Sequence, residues 1–440
     1  MRNTVIATLI TSAFLSFNAH AVDLLQVYKE ALANDAVYAG ARATLAAGSE
    51  RITQGRAGLL PTIGVGGSYS RTDSDTVSGG LSVSRDGRSN GYSISLSQPL
   101  FRWANWEQYQ QGKLSVALSE AQFAQAQQDL IVRVAQAYFD VLAAQDTLAS
   151  VQAEKTAITE QLAFAKRNFE VGTATITDTH EAQARFDLSV AQEFAAESDL
   201  EIRRTALEQI IGKPVGELAT LRPGLEMTGP QPAQIEQWVQ SAEVQNFGVI
   251  GQQLTREIAQ REISKTRAGH MPTVDLVASR SHSNQRGGTI TAPTGGESDS
   301  NAIGVQWNIP LFSGFAVTSR VREAIALEQK ARADLETARR TAVQGARQSY
   351  LGVNSGLAQV RALEAAEVSS QSALESNRLG YQVGVRINID VLNAQQQLFV
   401  TRRDLARARY DTLVNGLRLQ AAAGVLEEAH VVELNGMLKH

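Results

Sequence analysis

The sequence predicts a mainly α chain with a smaller β component, duplicated internally into two similar halves. Three observations carry this. One turn motif occurs in both halves, residues 100–213 and 311–440 contain no proline, and four segments alternate apolar with polar residues. Proline-free spans of that length are where long helices are possible, and a period of two marks strands with one apolar and one polar face.

The motif runs Phe169 to Gln183, F-E-V-G-T-A-T-I-T-D-T-H-E-A-Q, and returns at Tyr381 to Gln395 as Y-Q-V-G-V-R-I-N-I-D-V-L-N-A-Q. Aligned without gaps, the two share Val171/Val383, Gly172/Gly384, Asp178/Asp390, Ala182/Ala394 and Gln183/Gln395. Glycine directly after a helical run suits a left-handed C-cap. Thr177-Asp178 and Asp390 stand where an N-cap or first-turn acid starts the next helix. Both stretches therefore read as tips of helical hairpins.

In order, residues 1–21 carry Arg2, an apolar stretch from Val5 to Phe17 and Ala19-His20-Ala21, which reads as an export signal cleaved before Val22. The first repeat is 22–214, a Gly/Pro-rich linker covers 215–233, and the second repeat is 234–440. Leu24 to Gly58 is a helical pattern stopped by Leu60-Pro61-Thr62. Ile63, Val65 and Tyr69 alternate with small or polar residues, as Tyr92, Ile94 and Leu96 do with Ser93, Ser95 and Ser97. Thr72 to Asn90, rich in Ser, Asp and Gly, reads as an exposed loop. Trp103 to Phe169 holds one glycine, Gly112, and as a helix spans roughly 100 Å, too long to bury itself in a globule. Leu148, Val151, Ile158, Leu162, Ala165 and Phe169 step by three and four, a coiled-coil seam leading into the turn, and the return helix runs from Ile176 to about Ile211.

The second half repeats this order. Met271-Pro272-Thr273 echoes Leu60-Pro61-Thr62, and Ile309-Pro310-Leu311-Phe312 echoes Gln98-Pro99-Leu100-Phe101. Ile303, Val305, Trp307 and Ile309 alternate with Gly304, Gln306 and Asn308, after a polar loop from Ser283 to Asn301. A second long helix runs from Ser313 to Gly380, interrupted by Gly345, Gly352 and Gly356.

Several chemistries find no support. No apolar run after the signal is long enough for a membrane-spanning helix. No cysteine exists to hold a lipid, a disulfide or a thiolate-bound metal. A formal charge of −4 gives no electrostatic case for nucleic acid. His180, His270, His282, His430 and His440 show no metal-ligand spacing, and no nucleotide cradle or catalytic constellation is present, so neither a cofactor nor an enzyme is expected.

Four amphipathic strands cannot close a barrel alone, since closed membrane barrels begin at about eight. Either they form a soluble sheet or several chains share one barrel. The order of elements, the duplicated turns, the L-P-T and M-P-T strand entries and the P-L-F strand exits resemble the TolC family of outer-membrane efflux and secretion channels, over essentially the whole mature chain. The resemblance implies a homotrimer whose four transmembrane strands per chain make a twelve-strand barrel in outer-membrane lipid, continued by a long periplasmic α-helical barrel. It implies a passive export duct, opened at its helical tips by a periplasmic adaptor (membrane fusion) protein and an inner-membrane transporter, ABC-type or proton-driven. It places a gate latch at Thr177, Asp178, Tyr381 and Arg386. It also places a constriction ring at Asp390 and Asn393, where the family pattern D-V-L-D reads Asp390-Val391-Leu392-Asn393. A ring with one acid per chain at this turn implies weaker cation selectivity than two acids give; Glu181 occupies the equivalent place in the first turn. From the residues alone, an exported, non-porous structural or adhesive coiled-coil oligomer is the alternative, and the polar strand faces count against it.

Overall fold

The computed structural model describes residues 21–287 and 295–439, so the expected export signal, 1–21, lies outside the described residues except for Ala21. The elements run α1 (Leu24–Asn34), α2 (Ala36–Ala57), β1 (Thr62–Ser78), β2 (Leu81–Phe101), α3 (Trp103–Glu170) and α4 (Ile176–Ile211). They continue α5 (Ile235–Gln245), α6 (Phe247–Arg267), β3 (Thr273–Arg286), β4 (Gly296–Asn308), α7 (Ala316–Gln382), α8 (Asn388–Ala422) and α9 (Glu428–Asn435).

Four expectations need correction. The helical pattern Leu24 to Gly58 is two helices, because Asp35 leaves the helical region at φ −65°, ψ 119° and caps both. Its N–H bonds back to Ala31 O, and its carboxylate accepts from the Tyr38 N–H at 2.6 Å. Thr72 to Asn90 is a hairpin, not a loop: β1 and β2 stay paired out to Ser78↔Leu81, around Gly79 and Gly80, both at positive φ. The second polar loop likewise contributes paired strand up to Gln285↔Gly296, and 288–294 lie outside the described residues. Finally, Gly345, Gly352 and Gly356 do not interrupt α7, which is continuous.

The long helices pair as antiparallel hairpins, α3 with α4 and α7 with α8, and α3 also packs along α8. Gly112, the one glycine of α3, is a close-approach site. A Cβ there would stand 2.7 Å from the Arg51 carbonyl oxygen of α2. The largest core lies midway along the rods, where Leu130, Val134, Tyr138, Phe139 and Leu142 of α3 meet Leu24 and Val27, Leu207 and Ile211, and Val414 and Leu417. The 215–233 segment is not a bare tether, because part of it is sewn into this core. Val22 bridges Leu218, Leu221 bridges Leu438, and the Tyr138 hydroxyl donates to Ala219 O at 2.7 Å.

The sheet is antiparallel in the order β1-β2-β3-β4, and among the described residues no helix packs over either face. Register puts Ile63, Val65, Leu96, Ile94, Leu276, Val305 and Trp307 on one face and Gly64, Ser95, Ser93, Gly304 and Gln306 on the other. Val65 is 75% exposed, Ile303 80% and Trp307 68%, a density of bare apolar side chains that water does not tolerate on a folded surface. Trp307, Phe312 and Phe315 lie where sheet gives way to helix, as expected of the aromatic belt at a membrane interface. Arg102, at the head of α3, grips Asp275 of β3 through Nε at 2.8 Å and Nη2 at 2.6 Å, fixing sheet to rods.

The Asp35 carboxylate is buried and receives a two-pronged bond from Arg133 at 3.0 and 3.1 Å. Burial pushes this carboxyl up, but the Arg133 fork and the Tyr38 N–H outweigh it and hold it below its ordinary value. A lowered folded value means stabilisation that is complete above the unfolded carboxylate range and lost as pH falls through the folded one. Arg133→Leu should therefore cost about 2 kcal/mol at neutral pH, less than a fully buried pair because Arg133 is partly exposed. Thermal unfolding in detergent at pH 7 and pH 3 checks this: the deficit should shrink at the acid value.

Candidate functional site: the paired helical tips

The two tips share a backbone and differ in how they are capped. At the first, Gly172 takes φ +75° and the N–H groups of Thr173 and Ala174 close on Asn168 O. At the second, Gly384 takes φ +80° and Val385 and Arg386 close on Gly380 O. Here left-handed glycine reverses the chain without a Cβ penalty. Helix α4 then starts from Thr175, whose hydroxyl accepts from the Asp178 N–H while the Asp178 carboxylate accepts from the Thr175 N–H at 3.0 Å, a reciprocal capping box. Helix α8 starts from Ile387, which has no side chain to offer.

The four residues expected to form a latch sit accordingly. Asp178 is occupied by its own cap, and Thr177, the second residue of α4 rather than its N-cap, is exposed. Arg386 is exposed and, within one chain, faces Asp390 at 3.7 Å rather than Asp178 or Thr177. Tyr381 does reach the first tip: its ring meets Phe164 edge-on, centroids 5.8 Å apart. Its buried hydroxyl approaches the Asn168 side chain without the alignment of a full hydrogen bond. Burial pushes this phenol up, Asn168 opposes that, and the nearby Asp178 charge adds to it.

Two residues outside the expected set join the hairpins. Asn388, the first residue of α8, is fully buried; its amide nitrogen donates to Asp178 O at 3.2 Å and its oxygen accepts from Gln161 of α3. Arg185 of α4 donates to Gln396 Oε1 at 2.7 Å and to Asn393 Oδ1 at 2.9 Å. Between these polar clasps, Leu392 and Ile389 of α8 pack on Ile158, Leu162, Ala165 and Ala182. The T-x-x-D spelling of Thr175-Ile176-Thr177-Asp178 is the signal that marks this capping box, whereas the cap expected from the sequence is at Thr177-Asp178. Nothing local marks Asn388 or Arg185, whose partners lie on other helices.

Asn393 thus carries a guanidinium against it, while Glu181 is half-buried on α4. At this turn an amide stands where the family pattern has a carboxylate, and a guanidinium lies against it.

An uncovered sheet with a lipid-compatible face and a polar face, prolonged by rods that end in clasped tips, defines an outer-membrane channel with a helical extension. Comparison with known proteins agrees. The chain matches the outer membrane efflux protein family over residues 27–213 and 238–425. It is 33% identical to the outer membrane protein TolC of Vibrio cholerae over 97% of this chain and 96% of that one. It is 34% identical to the alkaline protease secretion protein AprF of Pseudomonas aeruginosa over 94% and 86%. The Campylobacter jejuni CmeC outer membrane channel has the same fold, with a TM-score of 0.80 at 17% identity over 94% of this chain and 90% of that one. The chain belongs to the outer membrane efflux protein family. It is a non-catalytic outer-membrane channel of a tripartite efflux or secretion system, extending into the periplasm, and membership implies an adaptor and an inner-membrane transporter as partners.

Replacing Asn388 with Ala strands the Gln161 amide and the Asp178 carbonyl, and should cost about 1–2 kcal/mol of tip stability. Hydrogen exchange of the α8 N-terminus should speed up in this variant while exchange in the midway core stays unchanged. Arg185→Gln and Asn393→Asp each remove one net positive charge from this clasp, and should move the reversal potential in a salt gradient toward cations by similar amounts. No shift in either variant would show that this clasp lies outside the pore field.

Proposed function

We propose that three copies close a twelve-strand barrel, β4 of each pairing with β1 of the next, and that the helical rods form a continuous duct through the periplasm. What supports this is the sheet: two unpaired edge strands and two uncovered faces of opposite polarity. Lipid takes the apolar face and water fills the Ser/Gly/Gln/Asn face. Each repeat, 22–214 and 234–440, supplies one hairpin of strands and one hairpin of long helices to the wall.

In this reading the tips form the periplasmic gate. Tyr381, Asp178 and Asn388 hold the second hairpin to the first within a chain, and Arg386, exposed beside Asp390, is free to reach across to Asp178 or Thr177 of a neighbouring copy. Links of this exposed kind contribute about 0 to 1 kcal/mol each, so a docking adaptor and transporter can replace them. Asp390 and Asn393 line the constriction. Cargo is chosen by the transporter, since the described residues hold no nucleotide site and the energy must come from the partners.

Single-channel conductance of the purified protein in a planar bilayer tests the gate. The wild type should show a small, steady, cation-leaning conductance, and Arg386→Ser should raise it several-fold. A well-folded, inserted oligomer that conducts in neither form would overturn the reading in favour of a non-porous stalk.

A further inference from the structure

No histidine stands four residues from another in the sequence, but strand register supplies partners that spacing does not. His282 of β3 stands directly opposite Asp299 of β4 and Tyr92 of β2, and Glu297 is the next position on the same face of β4. The imidazole Nδ1 lies 3.0 Å from Asp299 Oδ1 and Nε2 lies 3.7 Å from Glu297 Oε1. The Tyr92 ring stacks on the imidazole with centroids 5.3 Å apart, which fixes the plane of the ring. One ligand atom from each of His282, Glu297 and Asp299 falls within 4.8 Å of the others, and among the described residues this is the one such group of three.

The chemistry of the ring makes this arrangement unfinished. A neutral imidazole has one N–H and one lone pair, so with a carboxylate at each nitrogen one of the two carboxylates faces a lone pair. A second ring proton removes the conflict, and so does a cation between that nitrogen and the acids. One imidazole nitrogen and two carboxylate oxygens form a three-ligand set with an open fourth position, the donor mix that suits zinc-like divalent ions rather than magnesium, which takes oxygen alone.

We propose that His282, Glu297 and Asp299 form a divalent transition-metal site on the outward face of the β3–β4 hairpin. Its place in the sheet gives it a use. On the outward face of these two strands the apolar side chains end at Ala278 and Ile303. Arg280 and Asn301 follow, and His282 and Asp299 come next. The site therefore stands just beyond the hydrocarbon band, at headgroup level, with both carboxylates more than half exposed. An ion there ties edge strand β4 to β3 where the ladder has left the hydrocarbon, and so stiffens the edge that the next copy must pair with.

Calorimetric titration of Zn2+ into the full, untagged chain in detergent tests the proposal. One site per chain is expected, and His282→Ala and Glu297→Gln should each weaken it by about tenfold or more. His180→Ala and His270→Ala should leave it unchanged. Co2+ should give d–d absorption bands that vanish in the same two variants, which separates coordination from loose association. Asp299→Asn, nearly isosteric, keeps the test open if His282→Ala fails to fold. Zn2+ affinity within about twofold of wild type in His282→Ala, or Mg2+ bound as tightly as Zn2+, would reduce the cluster to an acidic patch and overturn the proposal.

Discussion

The rest of this structure depends on an unmet demand of the backbone. In hydrocarbon every N–H and C=O must be paired within the protein, because no water is available to accept or donate. The chain meets this demand across three strand junctions and fails at two edges, β1 and β4. Among the described residues no helix lies over either face of the sheet, so it also fails the ordinary test of a soluble domain, an apolar face buried against a second layer. Both failures have one remedy, closure with further copies inside a lipid layer. An even number of strands per chain lets β4 of one copy run antiparallel to β1 of the next, so closure requires no change of direction. Arg102 and Asp275 carry the constraint onward by locking the start of α3 to the start of β3.

Much of the fold was legible because its signals are local. Proline-free spans bounded by glycine caps gave α3 to within one residue and both ends of α4, since a rod this long has no other way to satisfy its backbone. The strands were legible only where the two faces differ. Below Tyr69 and Tyr92 one face meets lipid and the other water, so apolar and polar residues alternate. Above them both faces are wet, with Arg71, Asp73 and Asp86 outward and Ser and Thr inward, and the pattern that marks a strand disappears although the ladder continues. Composition then reads as loop what hydrogen bonding makes a hairpin. Asp35 failed for a similar reason: an Asp inside a helical pattern looks like one more exposed acid until Arg133, far along the chain, is folded against it. At the tips the motif found the right turn but not its ties. Thr177, Asp178 and Arg386 are visible as residue types, whereas Asn388 and Arg185 acquire their roles only from packing.

The two tips are not equivalent, and the difference bears on what moves. The first is self-sufficient: Thr175 and Asp178 satisfy each other, so α4 keeps its N-terminus whatever α8 does. The second is not. Ile387 offers no cap, and the first turn of α8 is held by Asn388 to the first hairpin and by Leu392 and Ile389 to its apolar side. A capping box contributes order that survives separation of the hairpins, whereas tertiary contacts vanish with it.

Separating the hairpins therefore leaves the first intact and frees the second. The ties lost are few and mostly at the surface: one buried amide, the Arg185 clasp, a small apolar patch and the edge contact between Tyr381 and Phe164. The midway core, where α1, the 215–233 segment and the C-terminus converge on Tyr138, Phe139 and Leu142, is far larger and lies well away from the tips along the rods. A force applied at the tips thus meets weak, local resistance first and the strong core only later, so the rods can swing about their middle without unfolding. The same distribution explains why the polar ties are not stronger. A fully buried ion pair at the tips would cost several kcal/mol to break, more than weak exposed contacts with a docking protein could return. A cluster of single hydrogen bonds holds the two hairpins together and is still readily reversible.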